Sequence, residues 1–208
     1  MGAPLFVGIG GGTCSGKTTL ADRLRTRWGD HLAVIEFDDL AIGPAALAAA
    51  GVVVTDWDDP DLWRWDDLRG HLADLRAGRS TVVDARSRES RATGVTHRTV
   101  EPRSVVALVG YLAFHDPTIR AGLDLRVFVD LPEPEMVRRR LMRAEAPFNR
   151  EPYVSTTLIE AHRRLVLPQR ALATHVVDGT QPPDALAREV SRIVEDHGDL
   201  GRLLPLER

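Results

Sequence analysis

The chain has 208 residues, enough for one sizeable core with a small appended lid but not for a second full domain. A net charge of −3, from 27 basic and 30 acidic residues, supplies no basic field and argues against general nucleic-acid binding. A single cysteine excludes an intramolecular disulfide, no apolar run approaches the ~18 residues of a membrane span, and no signal-peptide lead is read at the N-terminus, so a soluble, cytoplasmic protein is expected.

The first predicted element is a buried strand over 5–9. It runs into Gly11-Gly-Thr-Cys-Ser-Gly-Lys-Thr18, which satisfies G-x-x-x-x-G-K-[ST] at every fixed position, and a helix over 17–28 follows. Gly11, Gly12 and Gly16 let the backbone curl so that successive N–H groups converge on phosphate oxygens at the positive end of that helix. Lys17 is placed to reach the outer phosphates and the Thr18 hydroxyl to bind Mg²⁺. Lys17 is also the chain's only lysine; every other basic residue is an arginine. The exception stands where a compact ammonium on a flexible stem differs most from a planar fork. Cys14 reads as a spacer within the loop.

A second strand, over 32–37, ends in Glu36-Phe-Asp-Asp39. The C-terminal edge of an open α/β sheet is where ligands bind, so a carboxylate there is suited to take the proton of an attacking hydroxyl and to hold a metal-bound water; a helix cap or solvated turn is the plainer alternative. Residues 55–65 then pack four aspartates and three of the four tryptophans into eleven positions. Carboxylates grip vicinal hydroxyls and indoles stack on planar rings, although turn-forming Asp and core Trp explain the same composition.

A helix is expected over 65–77 and a short strand over 81–83. The Arg- and Thr-rich stretch 81–101 is read as a projecting hairpin. Strands over 104–109 and 125–129 lead to a helix over 133–144 that carries Arg138, Arg139, Arg140 and Arg143. Arg139 and Arg143 are one turn apart, so a closing lid would bring both to a phosphoryl group; a solvated face is the alternative. Residues 145–156 are irregular, as a lid would be. A helix over 157–166, a strand over 174–177, the turn Asp178-Gly179-Thr180 and a helix over 183–195 complete the chain. The alternation predicts a three-layer α/β fold with a mostly parallel sheet.

In this order the motifs resemble the uridine kinase and nicotinamide riboside kinase family over about residues 6–180. The segment Gly11, Gly12, Thr13, Cys14, Ser15, Gly16, Lys17, Thr18, Thr19 is similar to its phosphate loop, and Phe37-Asp38-Asp39 to the motif whose first Asp is the catalytic base. Trp57-Asp58-Asp-Pro-Asp resembles the segment whose Asp, matching Asp58, holds ribose hydroxyls. Arg139-Arg-x-x-Arg143 resembles the lid helix, and Val177-Asp-Gly-Thr180 the turn beside adenine. The resemblance implies a P-loop NTPase fold of nucleoside-kinase type, with a five-stranded parallel sheet, a small helical lid, and ATP and Mg²⁺ as cofactors. Implied roles are Lys17, Asp38, Arg139 and Arg143 in catalysis, Thr18 and Asp38 at the metal, Asp38, Trp57 and Asp58 toward the acceptor, and Asp178, Gly179 and Thr180 at the nucleotide.

Two departures bear on function. The family carries a metal-holding Glu where this chain has Val109, so metal binding is expected to rest on Thr18 and Asp38, with Asp39 as a further candidate, or to be weak. Its pyrimidine-binding Tyr-Asp-Phe and nearby His correspond here to Val83-Asp84-Ala85 and Arg88, so uridine and cytidine are not expected acceptors; Asp84 and Arg88 are expected at the acceptor, and the crowding of Arg86, Arg88 and Arg91 suggests a more polar or anionic one, a solvated hairpin being the alternative. The expected function is transfer of the ATP γ-phosphoryl group to a hydroxyl of a nucleoside-like small molecule. The alternative is a non-catalytic ATP-binding regulator with a degenerate kinase fold.

Overall fold

The computed structural model describes residues 3–85, 94, 96–143 and 150–197. Strands form at β1 (Leu5–Gly11), β2 (Leu32–Glu36), β3 (Thr81–Asp84), β4 (His97–Val100), β5 (Val105–Val109), β6 (Leu125–Asp130) and β7 (His175–Asp178). Five of them make one sheet in the order β2-β5-β1-β6-β7, and every pair in it is parallel. The central strands are rich in Val, Ile and Leu with both faces buried, as a sheet covered on both sides requires.

Helices supply those covers. α1 (Lys17–Trp28) and the C-terminal helix (Pro183–Asp196) lay Leu20, Leu24, Val190 and Val194 on Val7, Ile9 and Val127. On the opposite face, Leu68 and Leu75 of the helix Trp65–Arg76, with Phe114 and Leu165, cover Phe6, Ile35, Leu108 and Phe128. Burial of each such side chain is worth about 1.5–3 kcal/mol, so both layers contribute to stability. In chain order the helices are α1, α2 (Pro44–Ala49), α3 (Trp65–Arg76), α4 (Pro117–Ala121), α5 (Glu133–Leu141), α6 (154–166) and α7 (Pro183–Asp196).

Because α1 leaves β1 toward one face while the chain after β5 turns to the other, the connections diverge between these two neighbouring strands. A crevice opens there at the C-terminal edge. The phosphate loop stands on one side of it and Gly110-Tyr111 on the other.

Several expectations are corrected in detail. The run at 81–83 does not join the parallel sheet; β3 pairs antiparallel with β4, Thr81 opposite Val100 and Asp84 opposite His97. The helix expected over 133–144 ends at Leu141, Ala144 lying outside the described residues. α6 is not a plain α-helix: π-helical turns Val154–Leu158 and His162–Val166 flank Ile159–Ala161. The short α2 and α4 were not expected. α4 starts at Pro117 and is capped by Asp116, whose carboxylate accepts the Ile119 N–H at 2.8 Å.

Candidate active site

The loop between β1 and α1 has the backbone that its glycines foreshadow. Gly11 and Gly16 adopt φ of 139° and 98°, and Cys14 is left-handed at 58°. A side chain at Gly11 would also meet Val129 O at 2.5 Å, so the strand end and the loop lie in contact. Lys17 Nζ folds back to donate to Gly12 O at 2.6 Å and lies 3.4 Å from Ser15 Oγ. Enclosure in the loop pushes the Lys17 pKa down to about 8, a shift that the nearby Asp38 carboxylate opposes.

A cavity of about 450 Å³ opens over the loop, large enough for small-molecule ligands. Thr13, Cys14, Gly16, Lys17, Thr18 and Thr19 line it on the side of the loop, and Asp38, Trp57, Asp58, Arg140, Arg143 and Tyr153 face it from elsewhere. Consecutive acids after β2 part company. In the 3-10 turn Phe37–Leu40, Asp38 faces the cavity, whereas Asp39 is fully buried and holds Arg98 through Nη2 at 3.0 Å and Nε at 3.3 Å. Asp39 therefore ties β4 to β2 and stands away from the cavity.

Asp58 sits deep in the wall. Burial first, then the charge of Asp56, pushes its pKa up to about 6, with Arg140 and Tyr111 pulling the other way. Trp57 is 39% exposed at the mouth. Trp63 and Trp65 pack in the aromatic wall: Trp63, which also lines the cavity, stacks on Phe37 at 4.4 Å, and Trp65 lies 5.2 Å from it. Phe37 can approach β5 because residue 110 is glycine; a Cβ there would fall 2.2 Å from Phe37 Cβ. Tyr111 closes this aromatic wall edge-on to Phe37 and Trp63, its hydroxyl buried beside Asp58. Gln169 fixes the backbone behind it, donating to Tyr111 O at 2.9 Å and accepting from the Phe114 N–H at 2.8 Å.

The arginines at 139, 140 and 143 divide their contacts. Arg139 Nη1 donates to Cys14 O and Gly179 O, both at 3.2 Å, while its Nε is held by Glu135 at 2.7 Å. It thus joins the loop to the turn after β7. Gly179 permits that approach, since a Cβ would meet Asp130 O at 2.9 Å and Ser15 O at 3.2 Å. In the same turn Asp178 accepts from the Thr180 N–H and hydroxyl at 2.8 and 2.7 Å. Arg140 reaches into the cavity instead, donating to Thr13 Oγ1 at 3.0 Å, and Arg143 faces the same space. Asp84 is drawn away: it pairs with Arg64 at 3.0 Å and His97 at 3.3 Å and does not line the cavity. Arg86, Arg88 and Arg91 lie outside the described residues.

For a metal, the donors are oxygens. Thr18 and Asp38 line the cavity, and so does Glu36, which pairs in register with Val109 on the neighbouring strand. Arg25 holds one Glu36 oxygen at 2.8 Å. Such hard donors fit Mg²⁺, which binds through few carboxylates together with water and phosphate oxygens. Among the described residues no three acidic, His or Cys side chains form a cage of their own.

Sequence reading did not single out Glu36 as a donor, Arg140 apart from its neighbours, Tyr111, or His162, which lies over Gly12 from α6. For Arg140 a signal existed: positions 140 and 143 share a helix face as well as 139 and 143 do. Glu36 stands in the stretch Glu36-Phe-Asp-Asp39, two residues from Asp38, whereas Tyr111 and His162 come from distant segments and carry no local mark.

The profile of the phosphoribulokinase / uridine kinase family matches residues 6–147. A uridine kinase of Clostridium perfringens is 34% identical over 146 residues, 69% of each chain. A uridine kinase of Alkaliphilus metalliredigens is 27% identical over 207 residues, 94% of this chain and 99% of that one. Among solved structures, a kinase provisionally assigned to fructose transport in Silicibacter sp. TM1040 superposes with a TM-score of 0.61 at 16% identity, covering 85% of this chain and 91% of that one. No helix among the described residues is long and apolar enough to cross a membrane.

Proposed function

The chain belongs to the phosphoribulokinase / uridine kinase family, a phosphotransferase with an alcohol group as acceptor, and from that premise we propose that it moves the γ-phosphoryl group of ATP to a hydroxyl of a nucleoside-like or sugar-like small molecule other than uridine or cytidine. The observation that carries this reading is the convergence of Lys17, Asp38, Asp58 and Arg140 on one cavity.

Each residue has a task its chemistry suits. The loop N–H groups and Lys17 bind the phosphates, and Lys17 exchanges Gly12 O for a phosphate oxygen. Asp58 grips acceptor hydroxyls, with Tyr111 and Trp57 shaping the space around them. Asp38 takes the proton of the attacking hydroxyl. Arg140 and Arg143 neutralise charge that spreads over the transferring group, and Arg139 keeps the turn 178–180 against the loop, where the nucleotide base would lie. Thr18, Asp38 and Glu36 would hold Mg²⁺, which supplies further charge neutralisation at the phosphates.

Against pyrimidine nucleosides stands the segment Val83-Asp84-Ala85. Val83 and Ala85 are buried and Asp84 is engaged by Arg64, so this segment offers the cavity no base-binding group. The sugar-like option draws on the fructose-related structural neighbour. The non-catalytic alternative loses its main support because Glu36 offers a carboxylate in register with Val109. The test is a steady-state assay of ATP-dependent phosphorylation over nucleosides, free pentoses and free hexoses. Turnover of a non-pyrimidine acceptor supports the proposal; uridine as the best acceptor defeats its specificity.

A further inference from the structure

Buried polar atoms in folded chains are nearly always hydrogen-bonded, and an exception at a ligand cavity points to what the cavity receives. Nδ1 of His162 is such an exception: it is shielded from solvent and has no hydrogen-bond partner among the described residues. The residue is 9% exposed and lines the cavity.

Its imidazole lies directly on the phosphate loop. A Cβ at Gly12 would come within 2.9 Å of His162 Cε1, 3.1 Å of Nδ1 and 3.0 Å of Met136 Sδ. Unlike Gly11 and Gly16, Gly12 does not adopt a positive φ, so its missing side chain serves the room for this ring and not a backbone conformation. The second π-helical turn of α6 begins at this residue. Widening the helix there leaves Leu165 and Val166 in the core beneath the sheet while His162 leans onto the loop, and π turns of this kind recur at functional sites. The loop residue under the ring is the one whose carbonyl now occupies Lys17, the side chain that meets the outer phosphates. Burial pushes the His162 pKa down, opposed by Glu133 and reinforced by Lys17, so the ring is neutral near pH 7 and carries one N–H.

We propose that His162 is a nucleotide-contact residue that turns off Gly12 when ATP binds and donates an Nδ1–H hydrogen bond to the outermost phosphate, distinguishing the triphosphate from the diphosphate. This rests on the kinase reading above. A hydrogen bond to a charged oxygen makes a difference of about tenfold in affinity.

Calorimetric affinities for ADP and for the non-hydrolysable β,γ-imido analogue of ATP test it in wild type, His162→Phe, His162→Asn and His162→Gln. The Phe variant keeps the ring's packing without its nitrogens. The Asn amide nitrogen falls near Nδ1, and that of Gln near Nε2. The expected result is a ~10-fold loss of analogue affinity in the Phe and Gln variants, ADP affinity unchanged, and recovery of most of the loss in the Asn variant. Equal losses for both nucleotides, no loss in the Phe variant, or rescue by Gln in place of Asn would overturn the proposal. Wild-type protein that binds neither nucleotide would instead overturn the kinase reading on which it stands.

Discussion

Lys17 and Asp58 are the two side chains whose environments most change their chemistry. For Lys17, the lowered pKa of about 8 means that the free protein loses the loop's positive charge in mildly alkaline solution. Bound phosphates hold that proton, so ATP affinity should be flat below pH 7 and then weaken above pH ~8, by up to ~10-fold per unit. Binding isotherms from pH 6.5 to 9.5 check this, and an unchanged affinity at pH 9.5 would contradict it. Lys17→Arg should fail as Lys17→Ala does, since a planar fork cannot take the place of the enclosed ammonium. For Asp58 the sign is opposite. Its folded pKa of about 6 lies above the ordinary carboxylate value, so its charge disfavours the fold, not at all below pH ~4 and fully above pH ~6. Asp58→Asn should therefore melt higher than wild type at pH 7.5, by a few degrees, with the gain shrinking toward pH 4, while acceptor KM rises. Melting curves at the two pH values decide it; a variant less stable at pH 7.5 would show that the carboxylate's partners outweigh its burial.

The hairpin β3–β4 and the helix α5 show how elements assign these residues their directions. Asp38 and Asp39 are chemically identical neighbours, and only the 3-10 turn after β2 decides that one meets the cavity and the other meets Arg98. Breaking that buried pair with Asp39→Asn should cost about 3 kcal/mol of stability without changing the Mg²⁺ requirement, as paired denaturation curves and metal titrations would reveal. A normal stability with a raised metal requirement would assign Asp39 to the metal instead. The same logic governs what could be read from sequence. The phosphate loop was legible because its function resides in a contiguous stretch with fixed spacing, and the alternation of strands and helices gave the sheet. Rotation about the α5 axis was not legible, so Arg140 and Arg139 could not be told apart. The stretch 81–101 was legible as a hairpin but its register, Thr81 opposite Val100, was not, since it depends on a partner some twenty residues away. Tyr111 and His162 gain meaning only when β5, α6 and the loop meet in space, and α6 itself departs from the plain helical period through its π turns.

At the scale of the whole molecule, the sheet brings Glu36 of an edge strand into register with Val109 and places both beside Thr18 in one cavity. Glu36→Gln should then raise the Mg²⁺ concentration for half-maximal turnover roughly 10-fold while leaving metal-free nucleotide binding intact. A Gln variant with a wild-type metal titration would remove Glu36 from the metal's surroundings. The larger claim is that the cavity is a working phosphotransferase centre with Asp38 as its base. It is tested most directly by measuring, in wild type and Asp38→Asn, both ATP affinity and the rate at which label from γ-labelled ATP appears on a panel of alcohols. Label is expected on a nucleoside-like or sugar-like acceptor other than uridine or cytidine, with the Asp38→Asn rate lower by ~10²–10⁴ and ATP affinity preserved. Tight ATP binding without label on any acceptor, or an Asn variant that loses ATP affinity but keeps its rate, would contradict it.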